Sequence, residues 1–269
     1  MSPVRACAQK VLLAFDGTEP GDDVLHALRT CPPAGFTLFR AMNVESPAQV
    51  RALTASLQSA LGGDLPLLIA ADQEGGQLIA VDGTTQFPGN MALGAVGSVD
   101  LARRTGQAIG RELSAMGINV DYAPVCDVNN NPANPVIGIR SFGEDPGAVA
   151  RLCAAMVEGL QSTGVAATAK HFPGHGDTSG DSHHGLPVLP HARERLAAVE
   201  LPPFAAAIRA GVRLVMSAHV ALPALDGGTA LPATLSPAVL RRVLRDELGF
   251  EGVVAVSYTH LRAHETKAN

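Results

Sequence analysis

Seven short apolar runs recur along the chain, and each is followed by a stretch with polar residues or helical periodicity. The runs are Val11–Phe15, Phe36–Phe39, Pro66–Ala71, Ile118–Val125, Val165–Ala169, Val212–Ser217 and Gly252–Val256. Strands that alternate with helices predict βαβ units with parallel strand pairing. The chain has 269 residues, and a single α/β barrel typically takes about 250 residues. The pattern therefore predicts one α/β domain.

The helices between the runs carry start signals. Three of them have a capping side chain followed by proline, namely Ser46-Pro47, Asp145-Pro146 and Ser236-Pro237. Gln49 stands three residues after Ser46, which is the spacing of a capping box. These signals predict helices that begin directly after the caps.

Polar residues gather at the C-terminal ends of the apolar runs. They are Arg40, Asn43, Asp72, Glu74, Asp127, Lys170, His171, Ser217 and His219. In a parallel α/β barrel this is the face on which active sites are built. An open doubly wound sheet would bind ligands at the same face, but no Gly-x-Gly-x-x-Gly motif joins a strand to a helix here. We therefore predict a (β/α)8 TIM barrel.

The charge of the chain limits the classes of ligand that can be expected. The net charge is −5, and the Lys and Arg residues are scattered without a basic stripe. This argues against nucleic acid or an anionic membrane as a partner and favours a small neutral substrate. The apolar run after Met1–Lys10 is too short for a signal peptide, so we expect a cytoplasmic protein. The sequence does not indicate an oligomeric state.

The densest group of ionisable residues lies between Lys170 and Gly185, directly behind the fifth apolar run. Pro173 and several glycines exclude a helix, so we predict a loop whose backbone bends and approaches a ligand closely. Titratable side chains on a loop that follows a buried strand are typical of an active site.

Two kinds of chemistry fit this loop. Its imidazoles and carboxylates could bind zinc, manganese or iron. However, Pro173 and Gly174 prevent His171 and His175 from sharing a helical face, as the helical zinc-protease motif requires. The other chemistry is general acid–base catalysis by a histidine that a carboxylate orients, and Asp181-Ser182-His183 supplies such a pair. We favour acid–base catalysis and keep metal binding as the alternative.

The segment Lys170-His-Phe-Pro-Gly-His-Gly176, followed by Asp181-Ser-His183, resembles the loop of glycoside hydrolase family 3, specifically of its bacterial β-N-acetylglucosaminidases. The resemblance extends from Val11 to about Ala255, with further segments in the family's order. These are Gly35-Phe-Thr-Leu-Phe39, Asp72-Gln-Glu-Gly-Gly76, Phe87-Pro88, Ala123-Pro-Val-Cys-Asp-Val128, Ile139-Arg-Ser-Phe-Gly143, Glu200-Leu-Pro-Pro-Phe204, Met216-Ser-Ala-His219 and Pro232-Ala-Thr-Leu-Ser236.

The resemblance implies a (β/α)8 barrel that removes terminal, non-reducing β-linked N-acetylhexosamine with retention of configuration. It implies a small carbohydrate substrate, no cofactor, and a role in cell-wall or amino-sugar recycling. By resemblance, His183 is the acid/base, and Asp181 holds its ring. Four residues would bind sugar hydroxyls through charge-assisted hydrogen bonds, namely Asp72, Arg140, Lys170 and His171.

Two of these four residues also have a purely structural interpretation. Arg140 could pair with Asp127 or Asp145, and Lys170 could neutralise Asp72. We consider sugar binding the better interpretation for both cations, because hydroxyl groups need donors in fixed geometry.

The histidine acid/base suggests a further hypothesis about the second step of the reaction. A deprotonated carboxylate repels an incoming anion, whereas a neutral imidazole does not. A site with His183 as its base could therefore accept phosphate as well as water.

The chain departs from the family at two places. Gln77-Leu-Ile-Ala80 stands where the cell-wall-recycling members carry arginines, so the substrate need not be a muropeptide fragment. After Val254 the family continues into Ser-Asp, whose aspartate is the nucleophile of the retaining mechanism. Residues 255–269 contain no aspartate. We therefore expect residues 1–255 to form a truncated barrel, residues 256–269 to be a non-native tail, and the chain to have little or no glycosidase activity.

Three other functions stay open. A β-glucosidase of the same family is disfavoured by the histidine loop. A sugar-binding pseudoenzyme would keep the binding residues without chemistry. A metal-dependent hydrolase would use the loop histidines as ligands.

Overall fold

The computed structural model describes residues 2–61, 65–180, 185–229 and 231–256. The strands in these residues are β1 Leu12–Leu13, β2 Gly35–Thr37, β3 Leu68–Ala71, β4 Gln73–Gly75, β5 Leu78–Ile79, β6 Val120–Asp121, β7 Ala166–Phe172, β8 Leu214–Ser217 and β9 Val253–Val256. Strands β4 and β5 pair as an antiparallel hairpin. The other seven form one sheet in the order β1-β2-β3-β6-β7-β8-β9, and every pair in it is parallel.

One helix precedes β1, and the other helices occupy the connections between neighbouring strands of the seven-stranded sheet. The helices are α1 Pro3–Ala8, α2 Asp22–Thr30, α3 Arg40–Asn43, α4 Pro47–Leu61, α5 Asn90–Val96, α6 Val99–Ala115, α7 Pro146–Gln161, α8 Arg193–Ala198 and α9 Leu201–Arg209, with 3-10 helices at Gly138–Arg140 and Ala233–Leu235 and a π-helix at Ala238–Glu247. Within the described ranges no helix has both the length and the apolar character that crossing a bilayer requires.

The predicted parallel α/β architecture is confirmed. Each of the seven apolar runs contains or overlaps one strand of the main sheet. Parallel strands that follow chain order, with helices between them, form a curled sheet in the manner of a TIM barrel. In the part of the chain that the structure describes, no ladder joins the end strands β1 and β9. The fold is therefore an incomplete (β/α)8 barrel.

Apolar side chains on the two faces of the sheet belong to different clusters. Because side chains alternate along a strand, neighbours in sequence point to opposite faces. Ala70 and Leu214 belong to a small cluster on one face, together with Val120, Tyr122 and Met216. Ala71 and Val215 belong to the large cluster that packs against the helices. The core thus lies mainly between the sheet and the helix layer.

The predicted helix starts are confirmed for α4 and α7. The backbone N–H of Gln49 donates to Ser46 Oγ at 3.2 Å, and that of Ala148 donates to Asp145 Oδ1 at 2.6 Å. Gln49 Oε1 accepts from the N–H of Glu45 rather than from that of Ser46, so the capping box is shifted by one residue. The third signal, Ser236-Pro237, precedes the π-helix, and Ser236 Oγ accepts from Val239 N at 3.1 Å.

Close packing of α6 against α7 depends on Gly159. A Cβ atom at this position would lie 2.1 Å from the carbonyl oxygen of Arg103. We therefore expect Gly159→Ala to force the helices apart and to lower the free energy of unfolding by about 2 kcal/mol, as overpacking does. Gly147→Ala on the same helix is the control, because its Cβ would have no contact shorter than 3.4 Å. Equal urea midpoints for the two variants would contradict the prediction.

Candidate active site

The four residues that the resemblance assigns to sugar binding line one cavity of about 420 Å³. Asp72 directly follows β3, Lys170 and His171 lie in β7, and Arg140 ends a 3-10 helix after β6. The cavity therefore lies at the C-terminal ends of the strands, where the sequence places the site. The binding of sugar by these residues stays a prediction.

Lys170 and His171 lie on a strand, although the sequence predicts that the loop begins at Lys170. The backbone N–H of Lys170 donates to Pro124 O at 3.2 Å, and Cys126 N donates to Lys170 O at 2.6 Å. Together with the pairing of Lys170 to Met216 and of Phe172 to Ser217 in β8, these bonds extend β7 to Phe172. The Lys170–His171 and Phe172–Pro173 peptide bonds are cis. The two side chains are thus held by buried sheet backbone.

Glu74 is the centre of the charge cluster in this cavity wall. Its carboxylate accepts two hydrogen bonds from Arg140, at 2.9 Å from Nε and 2.7 Å from Nη2. The Nζ atom of Lys170 lies 2.5 Å from Glu74 Oε1 and 2.6 Å from Asp72 Oδ1. The side chains of Lys170 and Glu74 are 2% and 1% exposed, so this ion pair is fully buried. Two carboxylates and two cations therefore balance each other in the wall.

The ionisation of the cluster follows from these contacts. Burial by itself would raise the pKa of Glu74, but Lys170 and Arg140 outweigh this cost and lower the pKa to about 2. Burial would lower the pKa of Lys170, but Asp72 and Glu74 raise it. The pKa of Arg140 is also raised, because its bonds to Glu74 outweigh burial. These three groups are charged at neutral pH, and charged groups form the strongest hydrogen bonds to a ligand.

A third carboxylate, that of Asp127, orients the ring of His171 and binds the backbone of His175. Asp127 Oδ2 lies 2.7 Å from His171 Nδ1, and Asp127 Oδ1 accepts from the backbone N–H of His175 at 2.7 Å. Burial would raise the pKa of Asp127, but attraction to His171 and His175 and the hydrogen bonds lower it. An ionised Asp127 fixes the ring of His171 by accepting from Nδ1. Burial lowers the pKa of His175, which lines the same cavity and is neutral at pH 7.

The glycines of the His171–Gly176 segment serve packing within the protein. A Cβ at Gly176 would lie 1.9 Å from the carbonyl oxygen of Val128, and one at Gly174 would lie 2.9 Å from Glu200 Cβ. Gly174 also has a φ of 133°. Glycine is therefore required at both positions by close contacts to neighbouring chain segments. The close approach of this backbone to a ligand stays a prediction.

The structure decides which partners the two cations have. Arg140 pairs with Glu74, not with Asp127 or Asp145, and Asp145 caps α7 instead. Lys170 pairs with Asp72, which agrees with the interpretation that Lys170 neutralises this carboxylate. Both side chains also line the cavity. The predicted acid/base His183 and its partner Asp181 lie outside the described residues.

Sequence reasoning missed Glu74 and Asp127 as site residues. Both appear among the polar residues that follow the apolar runs, but neither was assigned a role. Asp72 and Glu74 are two residues apart in extended chain, so their side chains point to the same side. That spacing was the signal by which Glu74 could have been found. No comparable local signal links Asp127 to His171, because their contact spans 44 residues.

The metal-binding alternative requires several ligating side chains close together. Within residues 2–61, 65–180, 185–229 and 231–256 no group of three or more His, Cys, Asp or Glu side chains could hold a metal ion. His171 is instead bound to Asp127, and His175 Nδ1 lies 2.7 Å from the hydroxyl of Thr178.

Comparison with known proteins agrees with this geometry. The glycosyl hydrolase family 3 N-terminal domain matches residues 23–268. Beta-hexosaminidase A of Pseudoalteromonas piscicida is 40% identical over an alignment of 279 positions, which covers 91% of this chain and 46% of that protein. Beta-hexosaminidase of Thiobacillus denitrificans is 38% identical over 251 residues, which cover 91% of this chain and 68% of that protein.

Solved structures show the same fold. The family 3 β-N-acetylglucosaminidase of Paenibacillus sp. FPU-7 superposes with a TM-score of 0.95 at 48% identity, covering 98% of this chain and 50% of that one. NagZ of Neisseria gonorrhoeae in complex with N-trifluoroacetyl-D-glucosamine superposes with a TM-score of 0.84 at 35% identity, covering 91% of this chain and 73% of that one. The chain thus spans about half the length of Beta-hexosaminidase A and of the Paenibacillus protein. With the family match, the shared fold and the charged cavity at the strand ends, this chain belongs to glycosyl hydrolase family 3.

Proposed function

We propose that this chain forms the barrel of a glycosidase that removes terminal, non-reducing β-linked N-acetylhexosamine. The observation that carries the proposal is the arrangement of Asp72, Arg140, Lys170 and His171 around one cavity of about 420 Å³. Sites for small molecules typically have volumes of about 300–1,000 Å³. Support also comes from relatives named β-hexosaminidase and from the complex of gonococcal NagZ with N-trifluoroacetyl-D-glucosamine.

In this proposal the charged side chains of Asp72, Arg140 and Lys170 form hydrogen bonds to the hydroxyl groups of the sugar. The carboxylate of Asp72 accepts hydrogen bonds, and the cations of Arg140 and Lys170 donate them. His171 is held through Nδ1 by Asp127. Its other ring nitrogen, Nε2, can then contact a further hydroxyl. Several rigid contacts to one ring fix the position of the anomeric carbon, which is what attack on that carbon requires.

The chemical steps need two further groups. Protonation of the leaving oxygen would fall to His183 with Asp181, and a nucleophile would form the glycosyl-enzyme intermediate. No aspartate stands between Val254 and Asn269. We therefore propose that the 269-residue chain binds the sugar but hydrolyses it slowly. Binding of N-acetylglucosamine with no turnover at all would favour the alternative, a sugar-binding pseudoenzyme. Action in the cytoplasm and in cell-wall or amino-sugar recycling is part of the same proposal.

Asp72→Asn tests the binding site. Its side chain is 19% exposed beside the cavity, and the substitution removes the negative charge while keeping the shape. We expect the affinity for N-acetylglucosamine, measured by calorimetry, to fall by about tenfold or more, because hydrogen bonds to charged groups contribute roughly 1.5–3 kcal/mol. Asp100→Asn on α6, where the aspartate is 72% exposed, is the matched control. Equal affinity of the wild-type chain and the Asp72 variant would argue against this site.

Calorimetry, product analysis and activity assays together separate the remaining functions. Tighter binding of N-acetylglucosamine than of glucose supports the hexosaminidase assignment, and the reverse preference supports a β-glucosidase. Appearance of an N-acetylglucosamine phosphate when phosphate is added to an active preparation would show that phosphate replaces water. Loss of activity on dialysis against a chelator would favour metal-dependent hydrolysis.

A further inference from the structure

Asn134 lies in the segment between β6 and the 3-10 helix that carries Arg140. The residue is 9% exposed, and its side chain uses both ends of the amide. Its Oδ1 accepts from the backbone N–H groups of Val136 at 2.9 Å and Ile137 at 2.7 Å. Its Nδ2 donates to the carbonyl oxygens of His175 at 2.8 Å and Gly176 at 3.2 Å. One buried amide therefore joins two separate chain segments.

Each of these segments forms part of the cavity wall. Val136 lines the cavity, and its carbonyl oxygen accepts from Arg140 Nη1 at 3.1 Å. His171 and His175 line the cavity from the other segment. The amide of Asn134 consequently lies between the backbone that positions Arg140 and the backbone that positions the two histidines.

The same amide also reaches the ring of His175 through one hydroxyl group. Asn134 Nδ2 donates to Thr178 Oγ1 at 3.2 Å, and Thr178 Oγ1 lies 2.7 Å from His175 Nδ1. A hydroxyl that accepts one bond from an amide has its remaining lone pair and its proton directed elsewhere. Thr178 Oγ1 also lies 3.0 Å from the carbonyl oxygen of His175. Asn134 is therefore one of two neighbours that set the orientation of the Thr178 hydroxyl and its contact to the imidazole.

We infer that Asn134 is a positioning residue of the sugar site, which couples the Arg140 wall to the His171–His175 wall through its buried amide. This inference rests on the proposed function, since the cavity is taken to bind the sugar. A small displacement of either wall would misplace the groups that hold the ring, and misplacement of about 1 Å can cost two orders of magnitude in activity. Asn134 itself does not line the cavity.

The test uses Asn134→Asp and Thr178→Val in the full chain. The carboxylate introduced by the first substitution can still accept from Val136 and Ile137 but cannot donate to His175 O, Gly176 O or Thr178. The second substitution, Thr178→Val, removes the hydroxyl link to the ring and leaves Asn134 in place. We expect calorimetric affinity for N-acetylglucosamine to fall about tenfold in each variant. We expect the double variant to lose less than the product of the two single losses, because both substitutions break one network.

A purely structural role predicts a different result. Destabilisation alone leaves the dissociation constant unchanged as long as nearly all molecules are folded, which urea unfolding checks in parallel. Asn119→Asp is the matched control. The Asn119 amide also accepts from a backbone N–H, that of Ile69 at 2.8 Å, and donates to a backbone carbonyl, that of Leu67 at 2.8 Å, but it directly precedes β6 and does not line the cavity. Wild-type affinity in folded samples of both variants would overturn the inference.

An NMR measurement on the protein without sugar tests the role of Asn134 independently of the proposed function. The ¹⁵N chemical shift of His175 Nδ1 reports its contact to the Thr178 hydroxyl. We expect this shift to change in both variants and to stay unchanged in the Asn119 control. An unchanged shift in both variants overturns the coupling even if the wild-type chain binds sugar. Failure of the wild-type chain to bind N-acetylglucosamine, with the shift changed as expected, overturns the proposed function instead.

Discussion

Replacement of Glu74 by glutamine is expected to lower the free energy of unfolding at pH 7 by about 3 kcal/mol. The carboxylate is 1% exposed and compensates both Lys170 and Arg140. A neutral amide would leave two buried cations with Asp72 as the main anionic partner. Glu158→Gln is the control, because that carboxylate is 46% exposed in its pair with Arg103 and such pairs contribute about 1 kcal/mol or less. Urea unfolding of both variants against the wild-type chain measures the difference.

The effect of Glu74→Gln should also depend on pH. The pKa of Glu74 is lowered from 4.5 to about 2 in the folded protein. A group with a lowered folded pKa stabilises the protein fully above its unfolded pKa, and this contribution is lost as the pH falls through the folded value. The difference between wild type and variant should therefore be constant above about pH 5 and shrink between pH 4.5 and 2. A difference that is as large at pH 2 as at pH 7 would contradict this assignment.

Turnover of an aryl β-N-acetylglucosaminide by the 269-residue chain is expected to be lower than that of a complete relative by a factor on the order of 10⁴ or more. The reason is that a retaining mechanism needs a nucleophile, and no aspartate follows Val254 in this sequence. Beta-hexosaminidase A of Pseudoalteromonas piscicida is a suitable reference enzyme. Release of the aryl group, followed spectroscopically under identical conditions, measures the ratio.

An external anion provides the control for this result. Azide can form the bond to the anomeric carbon that the missing carboxylate would form, while the aryl oxide leaves from the opposite face. The product is then a glycosyl azide with inverted configuration, and release of the aryl group should increase with azide concentration. Turnover near the rate of the reference enzyme without azide would overturn the prediction and would show that another group serves as nucleophile.

The position of the site was predictable because it follows from chain direction. Parallel strands bring their C-terminal ends to one face, so Asp72, Lys170 and His171 were expected to lie together. The pair of Lys170 with Asp72 was weighed from the sequence, but the role of Glu74 as the partner of both cations was not. Arg140 and Glu74 are separated by 66 residues. Contacts over such separations depend on strand register and side-chain packing, which periodicity does not encode.

The extent of β7 illustrates the same limit. The apolar run ends at Ala169, and the charged residues after it read as a loop. Lys170 nevertheless continues the strand, because Pro124 and Cys126 pair with its backbone and buried carboxylates compensate its charge. The polar appearance of a residue therefore did not reveal its burial, since the compensating groups lie far away in the sequence.

The amino-acid sequence was sufficient for the seven strands of the main sheet, their parallel order, the face that carries the candidate site and the family resemblance, because these depend on local periodicity, capping residues and motifs. It did not predict the antiparallel hairpin of β4 and β5, whose strands have only three and two residues. The folded structure was needed to identify Glu74 and Asp127 as the carboxylates that hold the cations and histidines, and Asn134 as the link between the cavity walls. The physical reason is that a buried charge or amide is stable only beside its partners, and those partners meet through packing of segments that are distant along the chain.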